Sequence, residues 1–195
     1  VLLRAAGFIP GSFVELGALD GVFLSNTLML EKCFGWKGLL IEAIPRNFEL
    51  LVESGRPNSR FVHSAICGHS GHINVTSHGG PSAGAPERMP PGHIKTEMIK
   101  RGNVTVKVPC KPLSHLMRES GFQQATFLSL DVEGAEDMVL ETIEPGAFSV
   151  ALVEFDGTQP DKDARVHQLL ERAGLVLFRE LVLGYRFTGG VNRLY

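Results

Sequence analysis

Carboxylates recur in this sequence where short apolar runs give way to turns. Glu15 lies in Phe13-Val14-Glu15-Leu16 ahead of the loop Gly17-Ala18-Leu19-Asp20-Gly21, and Glu42 ends Gly38-Leu39-Leu40-Ile41-Glu42. Asp131 and Glu133 follow Leu128-Ser129-Leu130, and Glu154 sits in Leu152-Val153-Glu154-Phe155 before Asp156. Acids so placed suit a ligand that is cationic or offers hydroxyl donors, because opposite charges attract more strongly in a partly dry pocket than in water. A phosphate would want the reverse, helix N-termini and cations. Glu42 stands roughly 20 residues beyond the glycine loop, where one carboxylate accepts from both hydroxyls of an adenosine ribose. A solvated strand-end acid is the plain alternative. The loop has three residues between its glycines rather than the Gly-x-Gly-x-x-Gly of a dinucleotide site, with Glu15 and Asp20 beside it. It therefore fits an ammonium and a sulfonium better than a pyrophosphate.

Asp131, Glu133 and Glu154 are the candidates for a general base, since burial and like-charge crowding raise a carboxyl pKa toward the working range. Two acids this close are also able to hold a divalent cation through oxygen; no metal ligand is assigned. Glu133 and Glu136 double as first-turn acids favoured by a helix dipole. His69 and His72 flank Gly71 in a turn-like stretch without the spacing of a zinc pair, and the seven histidines read as surface or packing residues. Cys33, Cys67 and Cys110 are odd in number and widely spaced, which reads as three reduced thiols. The sequons Asn74-Val75-Thr76 and Asn103-Val104-Thr105 matter only in a secreted chain.

Positioning these acids requires strands that end where they stand. Strands are expected at 12–16, 38–42, 60–63, 104–108, 126–130, 150–155, 175–181 and 185–195, and Trp36 as packing ahead of the second. Helical patterns run over 22–34, from Pro45, over 112–120, on Ala135, Met138, Val139, Thr142 and Ile143, and on Val166, Leu169, Leu170 and Ala173. Strands alternating with helices imply parallel pairing in an α/β sheet covered on both faces. Ligands of such sheets bind at the carboxyl ends of the strands. Eight of the 14 residues at 79–92 are Gly or Pro, a loop whose composition plain disorder explains without invoking a lid over the substrate.

The chain is long enough for one ordinary core at 195 residues. With 44% hydrophobic and 21% charged residues it is a folding composition, neither disordered nor fibrous. Nineteen basic against 21 acidic residues give a net charge of −2, so no nucleic-acid partner is expected. No apolar run reaches the roughly 18 to 20 residues of a membrane span. The reading favours a cytoplasmic protein; the missing initiator Met leaves a removed signal or anchor, and hence a secretory or Golgi-type route, open. Oligomeric state is not legible.

Four segments, Phe13 to Gly21, Ser25-Asn26-Thr27, Gly35 to Pro45 and Leu128 to Glu136 with its Asp131-Val132-Glu133-Gly134-Ala135-Glu136, resemble the FkbM-type methyltransferases in order and spacing. The resemblance implies a three-layer Rossmann-like class I methyltransferase fold with a seven-stranded, mostly parallel sheet and an antiparallel last strand. It implies one domain over 1–195, with the Gly/Pro-rich segment at about 76–103 as an insertion. The implied cofactor is S-adenosyl-L-methionine, leaving as S-adenosyl-L-homocysteine. Glu15, Gly17 and the loop backbone at Ala18 would hold its methionine part, Asp20 and Gly21 would complete that turn of the cofactor-binding loop, and Ser25 and Asn26 would stand near its carboxylate. Glu42 would bind the ribose, Ala43, Ile44, Ala65 and Ile66 would flank the adenine, and Asp131 would stand beside the methyl group. The acceptor implied is a hydroxyl of a small molecule or glycan-like compound. The alternatives are an NAD-type oxidoreductase and a non-catalytic binding module on the same fold.

Overall fold

The computed structural model describes residues 9–77, 104–155, 159–181 and 191–195. Through them run β1 (Ser12–Leu16), α1 (Leu28–Phe34), β2 (Lys37–Glu42), α2 (Pro45–Glu53), β3 (Ser59–His63), β4 (Ala65–Ile66), β5 (Gly71–Ser77) and β6 (Val104–Lys111). There follow α3 (Leu113–Glu119), β7 (Ala125–Leu130), α4 (Glu136–Leu140), β8 (Phe148–Phe155), α5 (Pro160–Arg172), β9 (Arg179–Leu181) and β10 (Val191–Leu194). The main sheet has seven strands in the order β3-β2-β1-β7-β8-β10-β9. Its neighbours pair in parallel from β3 to β8, and β10 runs antiparallel to both β8 and β9.

The central strands are apolar on both faces, as strands sandwiched between helices must be. Val14, Leu16, Leu39, Ile41, Leu128 and Leu130 point to one face and pack with residues of α3, α4 and α5, among them Leu116, Leu140 and Leu170. Phe13, Leu40 and Phe127 point to the other and pack with Leu30 of α1, Leu51 of α2 and the fully buried Trp36. Three layers result, which is the class expected for an alternating β/α pattern. Among the described residues no helix is long and apolar enough to cross a membrane.

A second sheet of three strands, β4-β6-β5, stands beside the first around Ile44, Ala65, Val75 and Val108. Here the structure corrects the expectation of three reduced thiols, because Cys67 and Cys110 form a disulfide with Cα atoms 5.7 Å apart. Pairing of β4 with β6 sets Ala65 opposite Cys110, so the chain leaving β4 delivers Cys67 beside it. The partners are 43 residues apart in sequence. Cys33 is a free, exposed thiol.

Three elements are shorter than expected, among them α4, which spans Glu136–Leu140 and leaves Thr142 and Ile143 beyond its end. The helix read from residue 22 starts only at Leu28, since residues 19–27 spend their polar groups otherwise: Asp20 Oδ1 accepts from Val22 N and Phe23 N, and Leu19 and Leu24 have positive φ. Of the strand read at 175–181 only Arg179–Leu181 pairs, while Val176 and Phe178 are exposed. The Gly/Pro-rich stretch at 79–92, His78, His93, Asn103, Asp156 and residues 185–190 lie outside the described residues.

Candidate active site

Strand β1 is the point at which the sheet order turns back, with β2 on one side and β7 on the other. A crevice opens at such a point by topology alone. A cavity of about 290 Å³ occupies it, lined from the carboxyl ends of β1, β2, β7 and β8 and closed on one side by the small sheet.

The loop after β1 is held down by backbone. Gly17 N and Ala18 N both donate to Ile41 O, at 3.1 and 3.2 Å. Gly17 takes φ +73°, and a Cβ there would lie 1.9 Å from the Asp131 carbonyl oxygen. Only glycine lets the β1 and β7 ends approach this closely.

Glu42 reaches across to the same loop. Its Oε2 accepts from Leu19 N at 2.9 Å and its Oε1 from Ile44 N at 2.7 Å. Burial raises its pKa, and the N–H groups of Ile44 and Leu19, the Asn47 side chain and Ala43 N–H oppose the rise. Those four donors match the roughly four lone-pair sites of an ionised carboxylate, so a ligand hydroxyl reaching Glu42 from the cavity would have to replace one of them.

Glu15 is employed differently. Its Oε2 accepts from Thr27 Oγ1 at 2.6 Å and Ser25 Oγ at 2.8 Å, its Oε1 from Asn26 N at 2.9 Å, and Arg56 Nη1 stands 3.6 Å away. Buried Arg56 also pairs with Glu31 at 2.6 Å and donates to Gly21 O, Ser25 Oγ and Thr27 Oγ1. Burial pushes the Glu15 pKa up, with Thr27, Ser25, Arg56 and Asn26 pulling against it. Glu15 touches the cavity, yet its carboxylate mainly fixes the shape of the 21–27 loop.

The acids after β7 and on β8 meet because the two strands are in register. Leu130 pairs with Val153, which sets Asp131 and Glu154 side by side, hydrogen-bonded through their side chains. Burial raises the Asp131 pKa well above the ordinary value, and the charges of Glu154, Glu133 and Glu136 push it further. Glu133 lines the cavity at φ +52°, ahead of α4 rather than in its first turn. Glu136 does sit in that turn; it accepts from Gly134 N at 3.0 Å and pairs with Lys162 at 3.1 Å, away from the cavity.

Glu15, Gly17, Ala18, Ser25, Glu42, Ala43, Ile44, Ala65, Ile66, Asp131, Glu133 and Glu154 thus converge on one cavity. Asp20, Gly21 and Asn26 do not line it. Asp20 caps its own turn, Gly21 packs toward Leu51 and Ser54, and Asn26 Nδ2 donates to Ser129 Oγ at 3.0 Å. Asn47, Met138, Phe23, Leu24, Ile73 and Val75 also line the cavity and were not singled out from sequence. Alternation at Ile73 and Val75 was a legible strand signal, whereas Arg56 gave none because all its partners are distant in sequence. Among the described residues no group of three or more His, Cys, Asp or Glu is arranged for a metal ion.

Five of the described lining residues are acidic and none is Lys or Arg. Apolar side chains from Ile44, Ile66, Ile73, Val75 and Val139 complete the wall. This donor-poor, acceptor-rich lining fits a cation carrying hydroxyls and an apolar ring, and is unsuited to a pyrophosphate.

Comparison with known proteins agrees with the geometry. The model of the methyltransferase FkbM domain matches residues 15–185. Among solved structures the chain resembles a methyltransferase FkbM from Methylobacillus flagellatus KT, at 12% identity and TM-score 0.60 over 95% of this chain and 44% of that one. It also resembles the fibrillarin of Aeropyrum pernix in complex with S-adenosyl-L-methionine, at 13% identity and TM-score 0.55 over 94% of this chain and 65% of that one. The Methanococcus jannaschii fibrillarin, a pre-rRNA processing protein, is similar at 11% identity and TM-score 0.54 over 95% and 66%. The chain therefore spans about two fifths to two thirds of the length of these three. No curated protein matches the sequence. At such identities the structures speak for the fold, a class I methyltransferase sheet with β10 as its antiparallel strand. The match of the domain model from Glu15 onward, over most of the sequence, places the chain in the FkbM methyltransferase family.

Proposed function

We propose that this chain transfers the methyl group of S-adenosyl-L-methionine to a hydroxyl of a small-molecule or sugar-containing acceptor, leaving S-adenosyl-L-homocysteine. One observation carries the reading: the cavity at the switch point is rimmed by five acids with no Lys or Arg among its described lining residues. The same observation speaks against an NAD-type oxidoreductase, whose pyrophosphate would meet those acids. When bound, S-adenosyl-L-methionine supplies an electrophilic methyl on a sulfonium, and its displacement is governed by how closely donor and acceptor are aligned.

The residues divide that task. Glu42 accepts from the ribose hydroxyls, which would take the place of the Asn47 side chain on its carboxylate. Ala43, Ile44, Ala65 and Ile66 offer the apolar surface for adenine, and the backbone of Gly17 and Ala18 borders the methionine part. Glu15, held by Arg56, keeps Ser25 and the rest of the loop in place, with Asp20, Gly21 and Asn26 as its frame. Asp131 takes the acceptor's hydroxyl proton, its affinity for that proton raised by burial and by Glu154. Glu133 adds negative potential at the same edge. We read residues 1–195 as one methyltransferase domain with an insertion at about 76–103, a segment that lies between two strands of the cavity's side wall, β5 and β6.

Calorimetry with S-adenosyl-L-homocysteine tests the cofactor: saturable binding is expected, and no heat at millimolar ligand with folded protein rejects it. Turnover across a panel of hydroxylated acceptors tests the reaction. Asp131→Asn should still bind the cofactor yet lose turnover; full turnover by that variant removes Asp131 from the role of base.

A further inference from the structure

The Cys67–Cys110 disulfide says something about where this chain folds. Such bonds persist in oxidising compartments and are rare where glutathione and thioredoxin keep thiols reduced. The bridge joins the strand end after β4 to β6, inside the small sheet, and both cysteines are buried. It is part of the wall that places Ala65 and Ile66 at the cavity.

On the same sheet stands a sequon, Asn74-Val75-Thr76, within β5. Strand alternation sends Ile73 and Val75 to the cavity side and Asn74 the other way, where it is exposed. Among the described residues β5 is an edge of this sheet, pairing only with β6. Thr76 is buried in the finished fold, which is no obstacle to a modification made on the nascent chain. A bulky, hydrated group at Asn74 would cover the outer face beside an open strand edge and leave the cavity clear.

We propose that the chain matures in an oxidising, glycosylating compartment and that Asn74 carries an N-linked glycan. In the first step the two thiols of Cys67 and Cys110 lose two protons and two electrons to a protein or glutathione disulfide, which is reduced to two thiols. In the second, the Asn74 carboxamide nitrogen displaces a lipid diphosphate from C1 of a lipid-linked oligosaccharide. The N–C1 bond forms, the C1–O bond breaks, and the amide loses one proton.

The test is peptide mapping of the full-length protein from its native cells, with thiols alkylated before any reduction. Digestion with and without peptide N-glycosidase reports Asn74, because removal of a glycan leaves Asp there. The expected result is a Cys67–Cys110 cross-linked peptide together with enzyme-dependent conversion of Asn74. Alkylated Cys67 and Cys110 would overturn the compartment. An unmodified Asn74 in a chain with the disulfide intact would overturn the glycan. Both readouts are covalent masses and do not depend on the methyl-transfer reading.

Discussion

Asp131, half-buried, and Glu42, buried, are both acids with raised pKa values, yet the proposed reaction asks different things of them. In the proposed reaction Asp131 gains and loses a proton. Its carboxyl holds that proton more tightly in the folded chain than in the unfolded one, so its contribution to stability is best at low pH. That contribution declines as pH rises from the ordinary Asp range through the raised value, and is level above it. Asp131→Asn should therefore melt higher than the parent at pH 8, with the gap closing toward pH 4; thermal melts across pH check this. In turnover, kcat should rise with pH as Asp131 ionises, and Glu154→Gln should move that limb to lower pH by removing the neighbouring charge. Glu42 must stay an acceptor. Hydrogen bonds to a charged group are each worth about 1.5–3 kcal/mol, so Glu42→Gln should weaken S-adenosyl-L-homocysteine by about 10- to 100-fold in calorimetry while the fold survives.

At the scale of elements, the β1 loop and the β7 end come close together at Gly17. Gly17→Ala combines a left-handed backbone with a Cβ 1.9 Å from a carbonyl oxygen, which the backbone must move to relieve. A cost of about 2 to 6 kcal/mol in urea denaturation is expected from strain and overpacking together, with cofactor binding lost. The same elements show what a sequence discloses. Strand-end acids such as Glu15, Glu42 and Asp131 were legible because an apolar run, a turn and an acid are all local. The class of the sheet followed from alternation of strand and helix. The 22–27 segment was misread as helix because its apolar spacing is helical, whereas the buried Glu15 carboxylate claims Ser25, Asn26 and Thr27. Arg56 and the small sheet depend on partners many residues away, and no window of the sequence contains both halves of those contacts.

For the molecule as a whole, the disulfide closes a segment with a separation of 43 residues that contains β5 and most of β6. Loop-closure entropy assigns such a bridge about 4 kcal/mol, and native bridges of small domains fall near this range. Reduction should lower unfolding free energy by about 2–4 kcal/mol in urea, and should weaken cofactor binding along with it, because Ala65, Ile66, Ile73 and Val75 hang on the bridged sheet. Unchanged stability on full reduction of Cys67 and Cys110 would contradict this.

The place of β10 has a consequence for synthesis. The strand is last among the described elements, yet it lies between β8 and β9. Until residues 191–195 are available, β8 lacks its antiparallel neighbour and, among the described residues, β9 has no strand to pair with. The sheet closes only when residues 191–195 have left the exit tunnel and Tyr195 can exchange hydrogen bonds with Ala151. Until then an apolar strand edge is on offer to other chains, a recognised route to aggregation. A chain ended at residue 190 should sediment as aggregate where one that includes residues 191–195 does not.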